Sequence, residues 1–312
     1  MPRAIFAAFT ALLLATFPNT VSAQVPDKVV AQKHVTLGYG RFFSNDALGD
    51  GKDRWRTGSY AISMIRGVGW DGALPNQFGD LLEYRVRTEI IAPANLATPS
   101  PTDRRYVGAL SAGVHAHFGR GATEVRLGAD VVGIGPQTGV GSLHRALHKA
   151  FGMTSPGNLA TQLPNHIYPT VSAELGKTYR FGNTRLRPFV EAQAGVESYV
   201  RVGGDLVFGA FGQGAMMLRD QVTGQRFVGV PGAVVQGLSA TIGGDIARVF
   251  DSAYLPKTGP IALRQNRSRV RAGVNWRGEK SEIFYGVTHL GREFKGQSSG
   301  QTLGSLKLHI RF

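Results

Sequence analysis

Alternation of apolar and polar residues, in segment after segment, is the feature of this chain that most constrains its fold. The last eight residues, Ser305 to Phe312, alternate without a break. Such a period of two is typical of a β-strand with one apolar and one polar face. The same pattern occurs within 81–91, 123–132 and 267–277, where the polar positions carry charges of both signs. A polar face of mixed charge and an apolar face towards lipid are typical of a transmembrane β-barrel.

The alternating segments predict an all-β fold, an antiparallel transmembrane barrel of about twelve strands, an even number as outer-membrane barrels have. The predicted strands are 35–42, 57–70, 81–91, 106–118, 123–132, 168–181, 184–196, 201–212, 238–250, 267–277, 281–290 and 303–312. The predicted tight turns are Gly119 to Ala122, Gly182-Asn183 and Arg277 to Lys280, and the predicted long loops are 43–56, 92–105, 133–167, 251–266 and 291–302.

The loop lengths predict an orientation for this barrel. If the first strand starts at the periplasm, every long loop is external and every tight turn periplasmic, which is the usual arrangement. Two segments, 71–80 and 213–237, fit less well because they are long for periplasmic turns. Within 213–237, the alternative is that residues 216–218 or 229–235 belong to the neighbouring strands, which would then be longer than predicted.

The N-terminus has the three parts of a secretory signal peptide: Arg3, an apolar run from Ala4 to Phe17, and small residues ending at Ala23. That run is shorter than the roughly 20 apolar residues that a membrane-spanning helix needs. We therefore predict a signal peptide at 1–23 and a single outer-membrane barrel at 24–312. The chain contains 0 Cys, which suits an exported protein in an oxidising compartment.

The formal net charge of +14 indicates an anionic partner. An exported barrel seldom meets nucleic acid, so the phosphates of outer-leaflet lipopolysaccharide are the expected anion. Arginine suits phosphate because its guanidinium offers several fixed donors. The residues predicted to bind these phosphates are Arg104, Arg105, Arg145 and Lys149, all in external loops.

The first candidate site residues stand at the end of the first strand. Asn45 and Asp46 supply oxygen atoms of the kind that bind a hard cation such as calcium. Thr57 begins the second strand at the same rim. Asn-Asp is also ordinary turn chemistry, so the dipeptide alone leaves both interpretations open.

The third external loop contains a predicted amphipathic helix. Its apolar residues recur at helical spacing before Gly152, a good helix stop; they are Leu143, Ala146, Leu147, Ala150 and Phe151. His144 and His148 share one face at i, i+4, which is metal-binding spacing. No Glu accompanies the pair and a third ligand is not evident, so ordinary surface histidines are the alternative.

A histidine can instead act as a general base. The sequence has no G-x-S-x-G motif, and Ser142 and Ser155 lack a recognisable triad. Water activated by histidine, with a cation polarising the carbonyl, needs no serine nucleophile. The predicted rim brings Asn45, Asp46, Thr57 and His148 to one end of the barrel, which permits such a site.

These residues resemble a known family, the outer-membrane lipid A 3'-O-deacylases, over most of the mature chain. The resemblance is carried by Asn45-Asp46, 53–58, 103–108, 162–165 and above all Gly133-Ile134-Gly135-Pro136 through His148 to Gly152. The resemblance implies a calcium-dependent, twelve-stranded barrel that removes the 3'-acyloxyacyl group of lipid A at the external leaflet, and we expect this barrel to be a monomer. It further implies that His148 activates water, that Asn45 and Asp46 shape the site and bind calcium, and that Thr57 is a polar residue of the site.

Two positions depart from the family pattern. Thr154 stands where the family has a site glutamate, six residues after the histidine, and Asp50 and Asp53 are the candidates to compensate. The family's basic pair in the second external loop is not matched in place, although Arg104 and Arg105 follow nearby. A catalytically reduced lipopolysaccharide-binding or structural barrel is therefore the second hypothesis, and a small-solute channel is the third.

Overall fold

A computed structural model describes residues 33–120, 122–157, 159–258 and 261–310, so the predicted signal peptide at 1–23 lies outside the described residues. The strands are β1 Val35–Asn45, β2 Trp55–Gly67, β3 Leu81–Ala92, β4 Val107–Arg120, β5 Thr123–Ile134, β6 His166–Lys177, β7 Tyr179–Phe181, β8 Thr184–Ala194, β9 Glu197–Phe208, β10 Met216–Arg219, β11 Arg226–Val230, β12 Gly237–Ser252, β13 Asn266–Arg277, β14 Ser281–Leu290 and β15 Gln301–Ile310. One α-helix, α1, spans Val140–Ala150, and short 3-10 helices span Asp46–Leu48, Pro136–Thr138 and Leu159–Thr161. Among the described residues, no helix is long and apolar enough to cross a membrane.

Twelve of the described strands form a closed antiparallel barrel, as predicted. Each pairs with the next in the order β1-β2-β3-β4-β5-β6-β8-β9-β12-β13-β14-β15. The ring closes where β1 pairs with β15, with Phe43 opposite Leu306 and Asn45 opposite Gly304. The end where β1 finishes and β2 begins carries the long loops and is called the loop end; the opposite end is called the turn end.

The barrel wall is inside-out relative to a soluble protein, which confirms the interpretation of the alternation. On β3, Tyr84 and Val86 are exposed on the outer face, whereas the intervening Arg85 and Arg87 are buried. On β13, Val270 and Val274 are exposed while Arg269 and Arg271 are buried; both arginines pair with Asp245 of the neighbouring strand β12. The outer surface therefore suits lipid, and charge pairs fill the lumen.

The predicted sixth strand, 168–181, is two strands. β6 ends at Lys177 and β7 resumes at Tyr179, and both pair with β8. Between them, the Thr178 hydroxyl donates a hydrogen bond to Glu124 Oε1 at 2.6 Å. Both strands keep the same register on β8, and this side-chain bond lies at the break between them, at the turn end.

A two-stranded hairpin of β10 and β11 occupies the lumen. The prediction that 216–218 or 229–235 extends the neighbouring wall strands is therefore wrong. Phe227 of β11 stacks on Phe42 of β1 at 4.8 Å between ring centroids. This packing needs glycine on the wall, because a Cβ at Gly40 would lie 2.9 Å from both Leu218 Cδ1 and Phe227 Cε2.

Charged and polar groups fasten the hairpin to several wall strands. Arg219 donates to Glu174 of β6 at 3.0 Å and to Asp205 of β9 at 2.9 Å. At the hairpin tip, Gln225 Nε2 donates to the carbonyls of Ala272 and Val287 at 3.0 and 3.2 Å. The hairpin thus ties opposite sides of the barrel together, and a cavity of about 360 Å³ remains beside it, towards the turn end.

Candidate active site

The loop between β1 and β2 and helix α1 meet at the loop end. Asn45, the last residue of β1, accepts a hydrogen bond from Ala47 N at 2.7 Å and so begins a 3-10 turn. Asp46 is buried, and its Oδ2 accepts a hydrogen bond from Arg54 N at 2.8 Å. Both predicted residues therefore shape the loop from its start.

Backbone strain directs the end of this loop. Asp53 and Trp55 have φ of 27° and 53°, values that side chains other than glycine adopt rarely. The Trp55 ring is buried and packs edge-on against Phe294, with 6.5 Å between ring centroids. Strain of this kind persists where packing imposes it and is common at functional sites. In this conformation the Asp53 carboxylate faces α1.

The predicted helix is present, and its histidines face the barrel. His144 and His148 are 3% and 6% exposed, whereas Leu143 and Leu147 are 58% and 45% exposed. The helix begins close to β4, since a Cβ at Gly108 would lie 2.9 Å from Val140 Cβ. The alternative of ordinary surface histidines is therefore wrong, and the apolar stripe is the side that faces outwards.

A carbonyl group fixes the proton on His148. Its Nδ1 lies 2.6 Å from the carbonyl oxygen of Thr154. A carbonyl only accepts hydrogen bonds, so Nδ1 carries the proton and the neutral ring has its lone pair on Nε2. Thr154 thus contributes its backbone to the site at the position where the resemblance implied a glutamate side chain.

Three donor atoms converge on one point between the loop and the helix. His148 Nε2 lies 3.4 Å from Asp53 Oδ2, and His144 Nε2 lies 3.9 Å from Asp53 Oδ1. The ring centroids of the two histidines are 4.1 Å apart. Within the described part of the chain, neither Asp53 Oδ1 nor His144 Nε2 has a hydrogen-bond partner. The three residues are close enough together to hold a metal ion.

The electrostatics of the site also favour a cation. Burial raises the pKa of Asp46 to about 8, and the neighbouring charges of Asp53 and Asp50 add to this shift. Burial also raises the pKa of Asp53, while His148 opposes that shift. Burial lowers the pKa of His144 to about 4, and His148 contributes in the same direction. The carboxylates are thus crowded, and His144 is neutral over most of the physiological range.

The oxygen atoms of this region fit the calcium ion that the resemblance implies. Calcium is coordinated by several oxygen atoms from carboxylates, carbonyls and hydroxyls. Asp46 supplies a buried carboxylate next to Asp53. Thr57 Oγ1 is a buried hydroxyl that interacts with the Asp53 carboxylate and opposes the rise in its pKa, so these oxygen-bearing side chains lie side by side.

A buried ion network lies beneath the site. Arg56, next to Thr57, donates to Glu89, to Glu197 at 3.0 Å and to Glu293 at 2.9 Å. These carboxylates come from β3, from β9 and from the loop between β14 and β15. The network therefore fixes the start of β2 in the barrel and with it the position of Thr57.

The predicted substrate-binding residues divide into two groups. Arg105, Arg145 and Lys149 are exposed, and Arg145 also donates to the Gly157 carbonyl at 3.2 Å. Arg104 is only 1% exposed and donates to Glu293 at 2.5 Å. The interpretation of Arg104 as a surface contact for substrate is corrected by this burial, because its guanidinium belongs to the ion network.

Sequence reasoning did not identify the partners of the two histidines. Asp53 entered only as a replacement for the family glutamate, and it lies beside both rings. Tyr106, whose hydroxyl lies 3.1 Å from His144 Nδ1, was not identified at all. The i, i+4 histidine spacing was the one signal for this cluster, and the missing third ligand comes from a distant loop.

Comparison with known proteins gives a matching family model and a solved structure with a similar fold. A family model described as "Outer membrane protein LpxR" matches residues 7–312. The chain is similar to the solved structure of LpxR from Salmonella typhimurium, with a TM-score of 0.72 and 16% identity over 88% of this chain and 100% of that chain. A search of curated proteins finds no match.

Other outer-membrane barrels are more distant. The beta domain of the Bordetella autotransporter BrkA matches with a TM-score of 0.42 and 11% identity, over 88% of this chain and 99% of that chain. The KdgM porin in complex with disordered oligogalacturonate gives a TM-score of 0.39 and 8% identity, over 89% and 99% of the two chains.

Proposed function

The chain belongs to the LpxR family of outer membrane proteins, and from this premise we propose that it is a lipid A 3'-O-deacylase. The proposed reaction is hydrolysis of the ester that attaches the 3'-acyloxyacyl group of lipopolysaccharide. The observation that carries the proposal is the orientation of His148. Its Nδ1 is engaged by the Thr154 carbonyl, so the lone pair of Nε2 points into a cluster of carboxylates at the loop end.

His148 is proposed to act as the general base. A water molecule next to Nε2 would give its proton to the ring while its oxygen attacks the ester carbonyl carbon. The bond between the acyl carbon and the sugar oxygen then breaks, and the same proton passes from Nε2 to the departing sugar alkoxide. The Thr154 carbonyl would stabilise the protonated ring, because it accepts the hydrogen bond from His148 Nδ1, with 2.6 Å between the two atoms.

Asp46, Asp53 and Thr57 are proposed to hold calcium, with Asn45 shaping the loop. When bound, calcium would supply positive charge next to the carbonyl oxygen, where negative charge develops in the transition state. Burial is the main cause of the raised pKa of Asp46, about 8, and the charges of Asp53 and Asp50 add to it; a bound cation would favour the charged form of all three carboxylates.

The departure at Thr154 is compatible with this activity. Orientation of the histidine needs an acceptor for its Nδ1 proton, and the backbone carbonyl of Thr154 already provides one. Asp53 supplies the negative charge that the family glutamate would carry, since its Oδ2 lies 3.4 Å from His148 Nε2. We therefore favour an active enzyme over a catalytically reduced relative.

Substrate is proposed to reach the site from the external leaflet, with the protein acting as a monomer. Arg105, Arg145 and Lys149 are exposed beside the site and suit lipid A phosphates. The outward stripe of α1, formed by Leu143, Leu147 and Phe151, is exposed and suits acyl chains. A small-solute channel is less favoured, because the β10–β11 hairpin occupies the lumen.

The decisive experiment is mass spectrometry of lipid A from cells that express the wild type or His148→Ala, with calcium supplied or chelated. Loss of a 3'-acyloxyacyl group only with wild type and calcium is the expected result. Unchanged lipid A, from a protein shown to be folded in the outer membrane, would favour the catalytically reduced lipopolysaccharide-binding relative instead.

A further inference from the structure

We propose that Asp53, His144 and His148 form a binding site for a zinc-type divalent cation, and that occupation of this site inhibits the enzyme. The binding part of this proposal stands on the geometry alone. The inhibitory part rests on the proposed function, because it requires His148 to be the base.

The geometry brings donor atoms of Asp53, His144 and His148 to face one another. The Nδ1 proton of His148 is committed to the Thr154 carbonyl, so the lone pair of Nε2 faces Asp53 Oδ2 at 3.4 Å. Two acceptors that face each other in a buried site repel, unless a proton or a cation lies between them. Among the described residues, Asp53 Oδ1 and His144 Nε2 also lack a hydrogen-bond partner.

The nitrogen atoms that would not bind the metal already have their partners. Histidines that ligate a metal usually form a hydrogen bond with the other ring nitrogen, which fixes the tautomer. His148 Nδ1 has the Thr154 carbonyl at 2.6 Å, and His144 Nδ1 has the Tyr106 hydroxyl at 3.1 Å. If His144 Nδ1 donates to the Tyr106 hydroxyl oxygen, the lone pair of His144 Nε2 also points towards the Asp53 carboxylate.

The spacing and the donor types select the metal. Zinc bonds to histidine and carboxylate at roughly 2.0–2.1 Å, so two ligand atoms of a tetrahedral site lie roughly 3.3–3.4 Å apart. The observed 3.4 Å between His148 Nε2 and Asp53 Oδ2 agrees with this spacing. The 3.9 Å between His144 Nε2 and Asp53 Oδ1 is longer, so these two side chains would move closer together when zinc binds. Two imidazoles and one carboxylate are zinc-type ligands, whereas calcium prefers oxygen atoms.

Occupation of this site would remove the catalytic lone pair. A zinc ion bonded to His148 Nε2 prevents that nitrogen from accepting a proton from water. Asp53 would serve both cations, so zinc and calcium would compete for it. His144 belongs to the zinc set alone, which gives a residue for separating the two effects.

The test uses the full-length protein, purified in detergent and freed of metal, and titrates it calorimetrically with zinc chloride. The wild type should bind one zinc ion, and His144→Gln should bind it at least tenfold more weakly. His166→Gln, which removes an exposed histidine at the same end of the barrel, is the matched control and should bind like the wild type. Gel mobility before and after heating checks that each variant is folded, and Asp53→Asn serves as a second binding variant.

A deacylation assay in calcium then tests inhibition. Measured relative to each protein's own zinc-free rate, the zinc concentration for half-inhibition should be at least tenfold higher in His144→Gln than in the wild type. Equal zinc affinity in the wild type and His144→Gln, or an absence of zinc binding by the folded wild type, would overturn the site. Zinc binding with equal half-inhibition in both proteins would overturn its inhibitory role. If the protein showed no deacylation at all, the proposed function would fail while the titration still decided the site.

Discussion

Replacement of His148 by glutamine isolates the proposed base from the rest of the site. The amide of glutamine can still donate to the Thr154 carbonyl, which His148 Nδ1 contacts at 2.6 Å, but it cannot accept a proton from water. The substitution therefore removes proton transfer and leaves the loop, the helix and the carboxylates in place.

The size of the effect follows from the role. General base catalysis contributes roughly 10²–10⁴-fold, which corresponds to about 2.7–5.4 kcal/mol of transition-state stabilisation. We expect the full loss, because the lone pair of Nε2 points into the site and is removed entirely. Since the residue is only 6% exposed, bulk water has limited access to replace it.

The assay is the initial rate of acyl release from purified lipopolysaccharide in detergent, at saturating calcium. Ser142→Ala on the exposed side of the same helix controls for changes in helix stability. A folded His148→Gln protein that retains more than about one tenth of the wild-type kcat/KM would refute the assignment of the base.

Four further outcomes are expected. Arg56→Met should destabilise the barrel by roughly 3–5 kcal/mol in urea unfolding, because it leaves buried carboxylates unpaired. In metal-free protein, stability should fall as the pH rises from 3.8 to about 8, since folded Asp46 binds a proton that the unfolded chain releases; denaturation midpoints should lose this dependence in Asp46→Asn. Phe151→Ser, at a position 75% exposed, should leave stability unchanged but slow hydrolysis in lipid bilayers more than in detergent. Planar bilayers should record no stable single-channel currents, because the hairpin fills the lumen.

Each of these outcomes has a result that would contradict it. Equal unfolding midpoints for Arg56→Met and the exposed control Arg105→Gln would remove the structural role of the ion network. An unchanged pH slope in Asp46→Asn would mean that another group causes it. An equal loss of hydrolysis rate in detergent and in bilayers for Phe151→Ser would exclude a lipid-contact role for Phe151. Reproducible single-channel currents would favour the channel hypothesis.

The barrel was predictable because its signal is repeated. A strand that crosses the membrane needs roughly 9–11 residues of alternation, and the wall strands supply this length many times over. The hairpin strands β10 and β11 have only 4 and 5 residues and do not alternate. Their short length and their lack of alternation therefore distinguish the luminal hairpin from the wall strands.

The candidate site was predictable in its positions and not in its contacts. The sequence placed Asn45, Asp46, Thr57 and His148 at one rim, because each stands next to a strand end or a loop helix. The direction of Asp53 depends on its φ of 27°, which follows from the packing of its neighbours and not from its residue type. Arg104 and Arg105 are adjacent and chemically equal, so only the path of the backbone decides which one is buried.

The luminal hairpin also has a consequence for the fate of the reaction products. A barrel with its middle cross-linked by Arg219 and Gln225 offers a released fatty acid no route inwards to the periplasm. Under the proposed function, both fragments would have to leave sideways, into the leaflet from which the substrate came. Each turnover would then exchange one broad lipid for a narrower one and a free acyloxyacyl carboxylic acid, so the enzyme would alter the packing and curvature of the membrane around itself.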